Sequence, residues 1–334
     1  MLLRFFQRYT SARGLILMYH RIAAEGVDPW LLCVTPQHFE EHLQVLQQWA
    51  SPISLQNLVQ EHQSRHVRDR AVAITFDDGY ANNLYNAKPI LERYQIPATV
   101  FVTTGYSNRN REFWWDELDQ VLLHPETLPE HLSLTINDQL YQWVLGKASE
   151  YRDIDRQRDR THPAWQAPPG SRLAFYYAVW KQLQPLTDVE RLRALDSIIA
   201  WANVSPIPRL THRPMTPAEL HGLEQGGLVE VGAHTVSHPL LSKCPIASQR
   251  DEIQQSKMNL EAVLQHPVKS FAYPFGVYQS QTVPLVAEAG FTCACTTVEE
   301  TVWSKSDRYQ LPRFEVRNWS GAEFQKRLRR WLHH

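Results

Sequence analysis

Two carboxylates in succession, Asp77 and Asp78, follow the apolar run AVAITF at residues 71–76. A short continuous apolar run reads as a buried strand, so both acids stand where a strand ends and hydration falls. Adjacent carboxylates in such a place repel one another and lose water, which raises their pKa values or demands a counter-charge. Successive strand residues point in different directions. One aspartate can therefore hold a cation while its neighbour stays free to take a proton. The plain structural alternative is an Asp-Asp-Gly turn with both side chains in solvent.

Three more strand-like runs end on unusual residues. LVEVGA (228–233) leads into His234-Thr235-Val236-Ser237-His238. Histidines four apart in a helical turn share a face, with Cβ atoms about 5–6 Å apart, and can meet on one metal. In a chain with fifteen histidines this spacing alone is weak. Joined by an aspartate from another strand end, it supplies two nitrogens and one oxygen. Such a set leaves positions for water and substrate, the pattern of a catalytic metal site, without naming the metal. KSFAY (269–273) ends in Pro274-Phe275-Gly276, a tight loop whose Phe275 N–H could stabilise an oxyanion or simply turn the chain. LILMY (15–19) ends in His20-Arg21. Taken alone, His20 reads as a half-buried histidine with a satisfied hydrogen bond.

These strand ends need a scaffold that gathers them. Thr35-Pro36 starts a helix, with threonine as cap and proline in the first position. Strand 71–76, a helix over 83–94 disturbed by Pro89, and strand 96–103 make a β-α-β unit, which implies parallel strands. The rhythm lapses over residues 107–209. That stretch holds FWWDELDQVLL as a helix, a hairpin turning at Asn137-Asp138, and helices near 172–184 and 187–202, and it reads as a mainly helical insertion. The rhythm resumes with a capping box at Thr216 and Glu219, strand 228–233, a helix over 251–265, strand 269–273, a helix at TVPLVAEAG, strand 291–297 and strand 313–316. In all, about seven strands with mostly helical connections fit an α/β fold, a distorted or incomplete (β/α) barrel formed by residues 1–106 and 210–334. No glycine-rich phosphate loop follows the early strands, and in barrels catalytic groups sit where strands end.

Composition narrows the function classes. With 334 residues, 43% of them hydrophobic, the chain has ample core material. A formal net charge of −1 gives no global attraction for nucleic acid. Cys33, Cys244, Cys293 and Cys295 lack zinc-finger spacing; Cys293 and Cys295 share a strand face and are expected as reduced, buried thiols. No apolar run approaches the roughly 20 residues that span a bilayer. The N-terminus lacks a continuous apolar core and a cleavage site, so a cytoplasmic or peripheral location is expected. Residues 2–9 suit a short packed helix or an amphipathic contact with a membrane surface.

TFDDGY, HTVSH and the proline-glycine loop, in this order and spacing, resemble the polysaccharide deacetylase family, the NodB-homology domain or carbohydrate esterase family 4. The resemblance covers residues 15–103 and 210–317. It implies a distorted (β/α) barrel, a divalent metal such as zinc, and hydrolysis of N-acetyl groups on amino-sugar polymers. It further implies that Asp77 is the catalytic base, that Asp78, His234 and His238 hold the metal, and that the Phe275 N–H helps to hold the oxyanion. Two departures stand out. The position of the base-orienting arginine is Ala272, with Arg313 as a substitute; and the general-acid histidine near the C-terminus is missing. A circularly permuted subset, resembling exopolysaccharide poly-N-acetylglucosamine deacetylases, carries its acid in a Tyr-His motif on the first strand, which Tyr19-His20 matches.

The expected enzyme is therefore a hydrolase of non-peptide carbon–nitrogen bonds, with Asp77, His20 and Phe275 catalytic and an N-acetylated glycan as its partner. Tyr80, Tyr273, Trp115 and Arg313 are candidate substrate contacts, with Trp114 beside them. Two other readings remain: hydrolysis of non-sugar amides or ureides, and a catalytically inactive carbohydrate-binding barrel.

Overall fold

The structure, a computed structural model, describes residues 13–24, 26–107 and 109–333. Residues 2–9, with their expected helix or membrane contact, lie outside the described residues. Seven strands build the main sheet: β1 (Gly14–Tyr19), β2 (Ala71–Phe76), β3 (Ala98–Val102), β4 (Val229–Ala233), β5 (Ser270–Ala272), β6 (Cys293–Cys295) and β7 (Phe314–Glu315). Their spatial order is β6-β5-β4-β3-β2-β1-β7, every pair is parallel, and a two-residue strand, Ser51–Pro52, adds to β2. Cys295 bridges to Leu311, just before β7, so the two edges of the sheet approach each other. The expected incomplete (β/α) barrel is what forms.

Alternation along the strands divides the core. Leu15, Leu17 and Tyr19 of β1, and Val72, Ile74 and Phe76 of β2, pack into one apolar cluster. Ile16, Ala73, Phe101, Ala272, Cys293 and Cys295 pack into the other. Both faces of a parallel sheet are covered, so its strands read as unbroken apolar runs. The cysteines of β6 share the second cluster as free, buried thiols, as expected. Gly232 of β4 is required by this packing: a Cβ there would lie 2.5 Å from Phe101 Cδ1 and 2.7 Å from Ser270 Oγ.

The chain divides into two compact units, residues 1–24, 32–108 and 214–334 in one, and 25–31 and 109–213 in the other. Nothing in the sequence marked residues 25–31 as part of the second. That unit is mainly helical, with Trp114–Leu123, Asp153–Asp159, Arg172–Leu183 and Asp188–Ala202, and one hairpin, His131–Ile136 with Gln139–Val144. The hairpin turns through Asn137 (φ 49°) and Asp138 (φ 62°), the left-handed pair that a two-residue turn requires. Buried Arg172 ties Leu122 O (3.0 Å) to Ser149 O (2.9 Å).

Elsewhere the helix over 83–94 begins irregularly, as a π-helical turn at Asn83–Ala87 followed by Lys88–Tyr94. The capping box of Thr216 and Glu219 forms. The helix expected over 251–265 starts earlier, at Ile246. No described helix is long and apolar enough to cross a membrane.

Candidate active site

Strand parity places Asp77 first. Ala71, Ala73 and Thr75 face the barrel interior, and Asp77 continues that row. The backbone then departs from the strand: Asp78 has φ 72° and Gly79 φ 85°. This left-handed pair swings the Asp78 carboxylate toward β4, where His234 follows Ala233. Asp78 Oδ1 lies 3.6 Å from His234 Nε2 and 3.4 Å from His238 Nε2. One ligand atom from each of the three residues falls within 4.8 Å of the other two, and all three residues are buried.

The two histidines do not meet on a helix, as their spacing suggested. Residues 234–238 form an irregular loop in which Thr235 (φ 65°) and His238 (φ 53°) are left-handed. Three bonds to one carboxylate hold that loop: Glu252, on the Ile246–Leu264 helix, accepts from Val236 N (2.8 Å), Ser237 N (2.9 Å) and Ser237 Oγ (2.6 Å). Thr235 Oγ1 accepts the His238 N–H at 3.1 Å. Left-handed backbone at non-glycine residues costs energy and persists where surroundings over-determine it.

The donor set suits a divalent cation. His234 Nδ1 lies 2.8 Å from Ala272 O, so Nδ1 carries the proton and the Nε2 lone pair faces Asp78. Burial pushes the His234 imidazole down to about 4, against the opposing pull of Asp77 and the Ala272 carbonyl, which leaves it neutral as a ligand must be. Phe275 closes one side. It is left-handed (φ 58°) within Pro274–Gly276, and its ring stands edge-on to His238 at 4.5 Å.

Asp77 is held apart from the triad by Arg313. The guanidinium grips the carboxylate in a fork, Nη1 to Oδ1 and Nη2 to Oδ2, both 2.7 Å. Arg313 also donates to Thr75 Oγ1 and Thr296 O, and its guanidinium lies over the Phe101 ring. Burial would raise the Asp77 carboxyl, but Arg313, His234 and His20 together hold it well below the usual carboxylate range. His20, half-buried just beyond β1, thus exerts its field on Asp77, and it does so on His234 as well.

The expected substrate contacts fare differently. Arg313 is fully buried and engaged by Asp77, so its guanidinium holds that carboxylate and is not open to a ligand. Tyr273 is buried, donates to Tyr309 O at 2.9 Å and stacks on Tyr278. Tyr80 is also fully buried, with the Arg21 guanidinium over its ring. Trp115, in the second unit, lies flat against Phe113 at 4.9 Å, and Trp114 packs on Trp180. In each case ring area goes into packing, the usual use of a large aromatic. Glu252 carried no sequence signal at all.

A buried triad of Asp78, His234 and His238, suited to a divalent metal, stands at the strand ends of a parallel, incomplete (β/α) barrel, with the arginine-held Asp77 beside it. The sequence profile of the polysaccharide deacetylases matches residues 64–160 and 198–294, more than half of the chain, and the protein belongs to that family. YxkH of Bacillus subtilis (strain 168), assigned by its name to the polysaccharide deacetylases, is 27% identical over 122 residues. That alignment spans 35% of this chain and 41% of the relative. Among solved structures, IcaB from Ammonifex degensii superposes with a TM-score of 0.60 at 15% identity, covering 97% of this chain and 98% of that one. The Streptococcus pyogenes deacetylase PplD, in complex with acetate, gives 0.59 at 18% identity over 95% and 98%. A de-N-acetylase from Aggregatibacter actinomycetemcomitans gives 0.55 at 14% identity over 95% and 99%. At these identities the likeness is one of fold.

Proposed function

We propose that the protein removes N-acetyl groups from amino-sugar residues of a polysaccharide, oligosaccharide or glycan precursor, with the circularly permuted arrangement in which the general acid stands on the first strand. The observation that carries this reading is the fork between Arg313 and Asp77 beside the Asp78, His234 and His238 triad. It supports a division of labour between the two aspartates: Asp78 faces the histidines, while Asp77 is kept ionised and ready to accept a proton.

A divalent metal such as zinc, held by Asp78, His234 and His238, would polarise the acetyl carbonyl and acidify the attacking water. Asp77 takes the proton from that water. The Phe275 N–H donates to the developing oxyanion. His20, protonated, gives its proton to the departing amine nitrogen, which is a very poor leaving group as an anion. Acetate and a free amino sugar result. The topology supports the position of His20: β1 lies between β2 and β7, so the first and last strands are neighbours. A histidine moved from the end of the last strand to the end of the first stays beside the same site. Asp77 N–H also donates to Tyr19 O at 3.0 Å, which ties the acid's strand to the base.

The test compares substrates. Mass spectrometry of acetate release across N-acetylhexosamine oligomers and lipid-linked precursors identifies the substrate. His20→Ala should cut kcat on the amide by roughly 10²–10⁴-fold, and much less on an activated aryl acetate, whose leaving group departs without protonation. Equal losses on both substrates, or none, would remove His20 from the mechanism. Turnover of small non-sugar amides with no action on any glycan would overturn the substrate class.

A further inference from the structure

Five residues after the base begins a run of three asparagines in quick succession, Asn82, Asn83 and Asn86, which the chemistry above does not use. All three reach back to the backbone around His20. Asn83 Nδ2 donates to His20 O at 2.9 Å. Asn82 Oδ1 accepts the Ile22 N–H at 2.9 Å. Asn86 Nδ2 donates to Ile22 O at 2.7 Å. Asn82 and Asn83 are buried, so water does not readily replace these bonds.

The local backbone is unusual on both sides of this contact. β1 ends at Tyr19, and beyond His20 the chain no longer pairs with β2; instead Arg21 and Ile22 pair with Cys33 and Val34. His20 therefore sits where one pairing ends and the next begins, and Asn83 holds its carbonyl there. Opposite lies the π-helical turn Asn83–Ala87, closed by Lys88 N–H donating to Asn83 O. Such turns are rare and recur at functional sites.

We propose that Asn82, Asn83 and Asn86 are positioning residues that clamp the His20 segment and so aim its imidazole at the leaving nitrogen. This rests on the reading of His20 as general acid. It means that one stretch, residues 77–86, carries the base, a metal ligand and the clamp for the acid. The three groups then keep their spacing although His20 comes from 57 residues earlier in the chain than Asp77. Proton donation requires hydrogen-bond reach to the accepting atom, and misplacement by about 1 Å can cost on the order of 10²-fold.

The polarity of each contact gives the experiment. Asn83 and Asn86 act as donors, so Asn83→Asp and Asn86→Asp set a carboxylate oxygen against a carbonyl. Asn82 acts as an acceptor, so Asn82→Asp keeps the bond to Ile22. On purified, folded, metal-loaded protein, Asn83→Asp and Asn86→Asp should lower amide turnover by about 10- to 100-fold while leaving aryl acetate hydrolysis near wild type. Asn82→Asp, which keeps the acceptor, should lose less amide turnover than Asn82→Ala. Independently of turnover, hydrogen exchange at the Ile22 amide should quicken in Asn82→Ala and stay protected in Asn82→Asp.

Equal losses on amide and ester in Asn83→Asp would make the clamp merely structural. Identical Ile22 exchange in Asn82→Ala and wild type would show that the bond does no holding. If His20→Ala itself shows no amide-selective loss, the functional reading fails first. If His20→Ala shows that loss and neither Asn83→Asp nor Asn86→Asp does, the clamp alone is wrong.

Discussion

Arg313 and Asp77 form a fully buried, two-pronged ion pair across 236 residues of sequence, each guanidinium nitrogen 2.7 Å from its own carboxylate oxygen. The arginine comes from the residue before β7 and the aspartate from the residue after β2, with β1 lying between those strands. Arg313 supplies the counter-charge from two strands away in the same sheet.

Arg313→Met should therefore destabilise the fold by about 3–5 kcal/mol, because it strands a buried carboxylate without its counter-charge. The double variant Arg313→Met/Asp77→Leu should recover much of that loss in a denaturant titration, yet have no activity. Arg313→Lys keeps the charge without the fork, and should fall between. A double variant as unstable as the single one would show that Arg313 acts through packing alone.

The paired aspartates should separate in one set of measurements. Asp78→Ala, His234→Ala and His238→Ala each remove a third of the protein donors, and elemental analysis should find metal depleted in all three. Asp77→Asn should keep its metal and lose about 10²–10⁴-fold in turnover. Full metal content in the three triad variants would dismiss the site.

Glu252 should govern the metal without touching it. Glu252→Ala frees the Val236 and Ser237 amides that shape the loop between His234 and His238. Supporting contacts of this kind are worth about 10–100-fold in metal affinity. Competition with a chelating dye measures it, and unchanged affinity would assign Glu252 to stability only.

His42 predicts acid sensitivity. Its Nε2–H donates to Trp319 O (2.8 Å), Nδ1 faces the Tyr19 hydroxyl (3.2 Å), and the ring stacks on Phe324. Burial pushes the imidazole down to about 4. An unfolded histidine titrates near 6.5, so between these values the unfolded chain binds the extra proton. Stability from this residue is complete above about pH 6.5 and is lost as pH falls toward 4, by up to about 3 kcal/mol. Chemical denaturation at pH 7 and pH 5 should show a smaller drop in His42→Gln than in the parent protein. An equal drop would place the titrating group elsewhere.

Much of this molecule was legible before its structure. Short, mostly unbroken apolar runs identify β1 to β7, because a parallel sheet covered on both faces needs apolar residues on both sides of each strand. The residues that end those strands, Asp77, Asp78, His234 and Phe275, stand out because polar or turn-forming types there serve no core. His20 gained meaning only from the resemblance, since one histidine after an apolar run is common.

Other features depend on contacts between residues far apart in sequence. The helical spacing of His234 and His238 was misleading: two left-handed residues and the Glu252 carboxylate bring them together, and no local pattern encodes a helix 15 residues away reaching back. Tyr80, Tyr273 and Trp115 carry side chains that suit sugar contacts, but only packing shows that their rings are buried. Arg313 precedes a short last strand, and it reaches Asp77 only because β7 pairs with β1 and β1 with β2, a pairing between residues far apart in sequence. Sequence determined which groups are available for chemistry, because side-chain type and strand period are local. Tertiary structure decided which of them meet, because a bond between residues 77 and 313 exists only after the barrel has formed.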